Sequence, residues 1–199
     1  MLISGLQKLT LLDYPEKAAC TIFTYGCNFL CPFCHNALLV TEKAENLISE
    51  EEILSLLEKR QGILDGVCIT GGEPTLQKDL IPFMQKIREL GYLIKLDTNG
   101  YRPDVLSQIF DLGLCDYVAM DIKNSVEKYS LTAGKDIDTE KILTSIQMIK
   151  DRAPAFEFRT TVVREFHEDE DFEEIGKMKL IGKPHFSRDF ADPERGESQ

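Results

Sequence analysis

Hydrophobic and polar positions follow two rhythms along the chain. Short β-branched or apolar runs fall at Ala18–Thr24, Gly66–Thr70, Tyr92–Asp97, Tyr117–Met120 and Phe156–Val163. Between them, Ser49–Arg60, Leu80–Leu90, Pro103–Leu112 and Thr139–Lys150 repeat their apolar positions near the helical period, which gathers them on one helix face. Strands alternating with helices across short connections predict parallel βαβ units. Ser49 and Glu52 form an S-x-x-E capping box, Gly91 follows Leu90 as a helix-ending glycine does, and Pro103 stands where a first-turn proline is tolerated. A further helix is expected at Glu168–Met178, opened by the acidic residues Glu168, Asp169, Glu170 and Asp171, whose charge suits the positive end of a helix dipole. His167, just before that run, is expected in a helix-start or solvent role. A sixth strand around Lys183–Ser187 would complete one domain over residues 1–187, leaving 188–199 as a disordered polar tail.

Six such units make either an incomplete (β/α)6 barrel or an open doubly wound sheet. Both collect chemistry at the C-terminal ends of their strands. The segments richest in reactive side chains all stand just after an expected strand.

The chain has 199 residues, 43% hydrophobic and 29% charged, with a formal charge of −11 from 34 acidic and 23 basic residues. That is the composition of an ordinary soluble globular domain. The acidic balance and the lack of a Lys/Arg-rich run argue against direct binding to nucleic acid. No stretch reaches the ~20 consecutive apolar residues of a membrane helix, and the N-terminus does not read as a signal peptide. A cytoplasmic location without membrane contact is therefore expected. In that setting disulfides are disfavoured, so clustered cysteines point to metal or redox chemistry.

Three of the six cysteines, Cys27, Cys31 and Cys34, fall in a C-x3-C-x2-C segment after the first expected strand. Thiolates suit soft metals and iron–sulfur clusters, and this spacing lets one loop wrap a single cluster. Three ligands leave a fourth metal position open for substrate. Other chemistries fit parts of the segment. Cys31-Pro32-Phe33-Cys34-His35 satisfies the C-x-x-C-H pattern of haem attachment, though that belongs to exported proteins. Cys27, Cys31, Cys34 and His35 could ligate zinc, although adjacent ligands strain a tetrahedral site. A dithiol pair of Cys31 and Cys34 would leave Cys27 unexplained. Cys20, Cys68 and Cys115 sit among apolar neighbours and are expected to be plain core or strand residues.

C-x3-C-x-aromatic-C in this place resembles the signature loop of the radical S-adenosylmethionine (SAM) superfamily. The resemblance implies a partial (β/α)6 TIM-like barrel, a [4Fe–4S] cluster on Cys27, Cys31 and Cys34, and SAM with its adenine against Phe33. Gly71-Gly72-Glu73-Pro74 resembles the GGEP motif that receives the SAM amino group, where Glu73 could accept from the ammonium; taken alone it would be an ordinary turn. Asp97-Thr98-Asn99-Gly100 and Met120-Asp121-Ile122-Lys123 resemble motifs that meet the SAM ribose and carboxylate. They imply a monovalent cation held by Asp97, Thr98, the Met120 carbonyl and Asp121, with Lys123 on the carboxylate. Arg159 would stand near the active site or pair with a neighbouring helix, and His185 would approach SAM.

Cys34-His35-Asn36 further resembles the activating enzymes of glycyl radical proteins. The opening Gly5-Leu-Gln-Lys-Leu-Thr-Leu-Leu-Asp13-Tyr14-Pro15 is similar to the subgroup serving anaerobic ribonucleoside-triphosphate reductase. No Cys-rich insert lies between Asn36 and Gly71, so a single cluster is implied. The implied reaction takes an electron from flavodoxin or ferredoxin, cleaves SAM to methionine and a 5′-deoxyadenosyl radical, and removes a hydrogen atom from a glycine of the partner enzyme. A radical SAM enzyme with a small-molecule substrate and a non-catalytic metal-binding module remain the alternatives.

Overall fold

The computed structural model describes residues 1–37 and 46–179. Its centre is one six-stranded sheet in strict chain order. Strand β1 (Ile3–Thr10) runs antiparallel to β2 (Ala19–Thr24). From β2 onward, β3 (Gly66–Gly71), β4 (Leu93–Thr98), β5 (Tyr117–Asp121) and β6 (Phe156–Arg159) are all parallel. A doubly wound sheet reverses its strand order at a switch point; this one never does. The sheet is a partial barrel, with β1 and β6 at its two edges.

Strand alternation sorts side chains between the two faces. Val67, Ile69, Ile94, Leu96, Val118 and Met120 point one way and join the buried apolar core. Against them lie helices α1 (Glu50–Lys59), α2 (Leu80–Glu89), α3 (Pro103–Asp111) and α5 (Thr139–Arg152), through residues such as Ile53, Leu57, Phe83, Ile87, Leu106 and Ile149. The in-between positions, Cys68, Lys95, Asp97, Tyr117, Asp121, Glu157 and Arg159, carry polar groups onto the opposite, inner face.

The caps behave as their residue types dictate. Ser49 accepts from the Glu52 N–H at 3.1 Å and closes the start of α1. Gly91 takes a left-handed backbone (φ 88°) behind α2, and Pro103 opens α3. The helix expected before residue 178 is α6 (Asp169–Lys179).

Three features differ from expectation. The sixth strand of the observed sheet is the antiparallel β1; the segment Lys183–Ser187, His185 and the 188–199 tail lie outside the described residues. Strand β6 stops at Arg159 rather than running to Val163. A short helix, α4 (Tyr129–Ala133), follows β5 and is closed by Gly134 at φ 72°. It abuts the cysteine loop, where Leu30 N–H donates to Ala133 O at 2.9 Å. Among the described residues, no helix is long and apolar enough to cross a membrane.

Candidate active site

The loops that leave β2 to β6 meet around one cleft open to solvent. Its walls include Cys27, Cys31, Phe33 and Cys34 from the first loop, Gly71 and Gly72 after β3, Asp97 and Thr98 at the end of β4, and Asp121 and Lys123 at the end of β5. Of the residues expected at the site, Glu73 and Met120 do not line this cleft, and His185 lies outside the described residues. His35, Asn36, Asn99, Arg159 and Thr161 also line it.

The cysteine loop is fastened at its middle by Phe29. This buried ring packs edge-on against Tyr101 and Tyr129, with centroids 5.7 and 6.4 Å away. Around Cys27 the polar groups are specific. Phe29 N–H lies 3.4 Å from its sulfur, and the Asn99 amide donates to Asn28 Oδ1 at 2.7 Å while lying 3.8 Å from the same sulfur. Asn28 Nδ2 is buried without a hydrogen-bond partner among the described residues, and such orphans usually mark a place made for another group. Burial pushes the Cys27 thiol up to about 11 and raises Cys31 as well, while Lys123 pulls both the other way. Metal uptake must therefore displace protons. Among the described residues no three His, Cys, Asp or Glu side chains converge as a single ion would require. Soft donors spread around a shared cleft, beside an unpartnered amide N–H, fit a thiolate-held cluster better than one tetrahedral ion.

Glu73 does something other than expected. It is fully buried, and its carboxylate accepts from Thr75 N–H (3.1 Å), Thr75 Oγ1 (2.5 Å), Thr98 Oγ1 (2.8 Å) and Asn99 N–H (2.7 Å). Burial raises its pKa, with these donors opposing. Four protein donors leave no clear position for a SAM ammonium, so the structure makes Glu73 a tie between the turn after β3 and the end of β4. Glu73→Gln should cost about 2–4 kcal/mol of stability, because the amide turns N–H groups toward donors. A thermal or urea melt measures this. Unchanged stability with weakened SAM binding would instead favour direct contact with the ligand.

At the ends of β4, β5 and β6 the charges interlock. Lys95, 1% exposed, pairs with Asp97. Arg159 reaches Asp97 at 3.2 Å and Asp121 at 2.9 Å, and Lys123 reaches Asp121 at 3.0 Å. Burial would raise the Asp121 carboxyl, but Lys123 and Arg159 outweigh it and hold it well below the usual carboxylate range. Arg159 thus pairs with neighbouring strands rather than with a helix. His167 stands just before α6, and of its two expected roles the helix-start one holds, because the side chain is buried. Its Nε2 lies 2.9 Å from the Lys123 carbonyl, its Nδ1 lies 3.0 Å from the Val163 carbonyl and 3.2 Å from the Val163 N–H, and the ring stacks on Phe172. Phe33 rests 5.6 Å from Phe166, centroid to centroid.

The roles that Lys95, Asn28, Asn99 and His167 take here were not foreseen. The period-two spacing of Lys95 and Asp97, and of Glu157 and Arg159, was the available signal for a charged inner face. Nothing in the spacing of Asn28, Asn99 or His167 announces its partners, which come from other loops.

A cysteine loop, a glycine turn and acidic strand ends around one cleft of a singly wound partial barrel define an iron–sulfur enzyme class. The chain belongs to the radical SAM superfamily, whose pattern matches residues 21–178, and this membership implies a [4Fe–4S] cluster and SAM. Over 182 residues it is 39% identical to a Methanocaldococcus jannaschii protein provisionally named glycyl-radical enzyme activating enzyme MJ1227, covering 88% of this chain and 74% of that one. A second protein of that organism, MJ1632, carries the same provisional name and is 33% identical over 144 residues, 71% of this chain and 53% of its own length. Among solved structures, TYW1 with a lysine-pyruvate adduct bound matches with a TM-score of 0.61 at 17% identity, over 81% of this chain and 60% of that one. Native anSMEcpe with bound AdoMet matches at 0.60 and 20% identity, over 76% and 46%. At such identities the likeness is one of fold.

Proposed function

We propose that this chain is a glycyl-radical-enzyme activase, serving an anaerobic ribonucleotide reductase with flavodoxin or ferredoxin as electron donor. The observation that carries the proposal is the convergence of Cys27, Cys31 and Cys34 with the ends of β3, β4 and β5 on one open cleft. The C-x-x-C-H-N sequence and the names of the two archaeal relatives support the choice of partner class.

Cys27, Cys31 and Cys34 would hold the cluster through their thiolates, and no fourth protein ligand is assigned to it. When bound, the cluster supplies the electron that splits SAM into methionine and a 5′-deoxyadenosyl radical, which takes a hydrogen atom from a backbone glycine. Phe33 offers a ring face to the adenine. The turn at Gly71 and Gly72 presents backbone polar groups to the amino acid end, and Glu73 holds that turn. Lys123, fixed by Asp121 and by the His167 bond to its carbonyl, meets the carboxylate. Among the described residues no strand joins β6 to β1, and a protein loop would enter at that open edge.

The test uses anaerobically reconstituted protein with dithionite and SAM. It should release 5′-deoxyadenosine, and mixing with an anaerobic ribonucleotide reductase should produce a glycyl radical signal by EPR. Product without that signal, for this and other glycyl radical enzymes, would move the substrate to a small molecule. No 5′-deoxyadenosine at all would remove the enzymatic proposal.

A further inference from the structure

The place expected for a monovalent metal ion is already filled by side chains. Strands β5 and β6 pair Asp121 opposite Arg159, and Asp97 ends the adjacent β4 on the same face. The Arg159 guanidinium lies between the two carboxylates, with Nε 2.9 Å from Asp121 Oδ1 and Nη1 3.2 Å from Asp97 Oδ2. The other two oxygens are also taken. Lys95 Nζ holds Asp97 Oδ1, and Lys123 Nζ lies 3.0 Å from Asp121 Oδ2. Glu157 stands 3.9 Å from the same guanidinium.

Three cations therefore face three carboxylates, and the set is neutral by itself. A metal ion would have to turn at least two of these oxygens away from charge-assisted hydrogen bonds, which are among the strongest in proteins. It would also bring a further positive charge beside three existing ones. Lys95 cannot withdraw into water to make room, being 1% exposed. The donors present do not fit the implied ion.

We infer that in this chain the Arg159 guanidinium takes the place of the monovalent metal ion, so that the SAM-carboxylate end of the cleft works without sodium or potassium. The inference takes the identity of the ligand from the function proposed above. A guanidinium is permanently charged and presents a rigid fork of donors, so the cleft keeps its positive element whatever salt surrounds it.

The experiment compares KCl and NaCl with tetramethylammonium chloride at equal ionic strength. Its first arm is the thermal midpoint of the protein before reconstitution. Wild type should be indifferent to the cation. Arg159→Met, which leaves the carboxylates short of one charge, should gain roughly 3–6 °C from potassium or sodium at about ten times the dissociation constant. The second arm is SAM affinity of reconstituted wild type by calorimetry, which should stay within about twofold across the three salts. A wild-type midpoint that rises, or an affinity that tightens about fivefold or more, on exchanging tetramethylammonium for potassium or sodium overturns the inference. So does an Arg159→Met protein indifferent to the cation. If Arg159→Met does not fold, the two wild-type comparisons still decide the matter. If SAM fails to bind in every salt, the proposed function falls, while the midpoint arm still reports on the ion.

Discussion

Cys31→Ala is expected to reduce iron after reconstitution from about four atoms per chain to near none, and SAM-dependent release of 5′-deoxyadenosine to background. The fold should survive, which is what makes the result interpretable. Cys31 is only half-buried, and its loop is anchored by the Phe29 ring and the Leu30–Ala133 hydrogen bond rather than by the thiol. The loss should be close to complete because the site has no spare ligand: three thiolates already leave one metal position to substrate. His35 is exposed and adjacent to Cys34, too constrained to replace the missing sulfur. His35→Ala should therefore leave iron content unchanged. Cys20→Ala and Cys115→Ala should also leave iron unchanged while costing about 1–2 kcal/mol of stability, because both thiols are buried in the apolar core. Iron retained and SAM still cleaved by Cys31→Ala would end the assignment of this loop.

Much of this was legible in the chain because amphipathic elements advertise themselves. Helix α5 and strands β3 to β5 fall within a few residues of their expected limits, since each buries one apolar stripe or face. Strand β1 was missed because it is an edge strand interrupted by register shifts, with exposed Gln7, Lys8 and Leu9; its alternation is broken where the pattern is read. Helix α4 is shorter than the span over which helical periodicity can be counted. The cysteines, glycines and strand-end acids were legible as motifs, and most share the cleft. Glu73 was legible as a residue but not as a tie, because its donors come from Thr98 and Asn99 on the next β/α unit. The Arg159 bridge likewise depends on the lateral order of three strands, which no local pattern contains.

Gly72→Ala should be a severely damaging single-methyl change in the cleft, costing several kcal/mol and the ability to hold iron. A Cβ at Gly72 would stand 2.0 Å from the Gly26 carbonyl oxygen and 2.6 Å from its carbon. The obstacle is backbone, so no side chain can swing aside. The two segments are also stitched by hydrogen bonds, Gly72 N–H to Thr24 O at 2.9 Å and Glu73 N–H to Gly26 O at 2.8 Å. Separating them breaks both and moves Gly26, itself at φ 89°, immediately before Cys27. Overpacking of this kind costs about 1–3 kcal/mol, and each lost buried hydrogen bond about 1 kcal/mol more. Gly176 supplies the opposite case. It lies inside α6, and an added Cβ would have no described residue within 4 Å, so Gly176→Ala should stabilise by up to about 1 kcal/mol through helix propensity alone. Denaturant midpoints and iron content measured on both variants give opposite signs for the same added methyl. A Gly72→Ala protein with wild-type stability and a full complement of iron would mean that the glycine turn does not press against the cysteine loop as described.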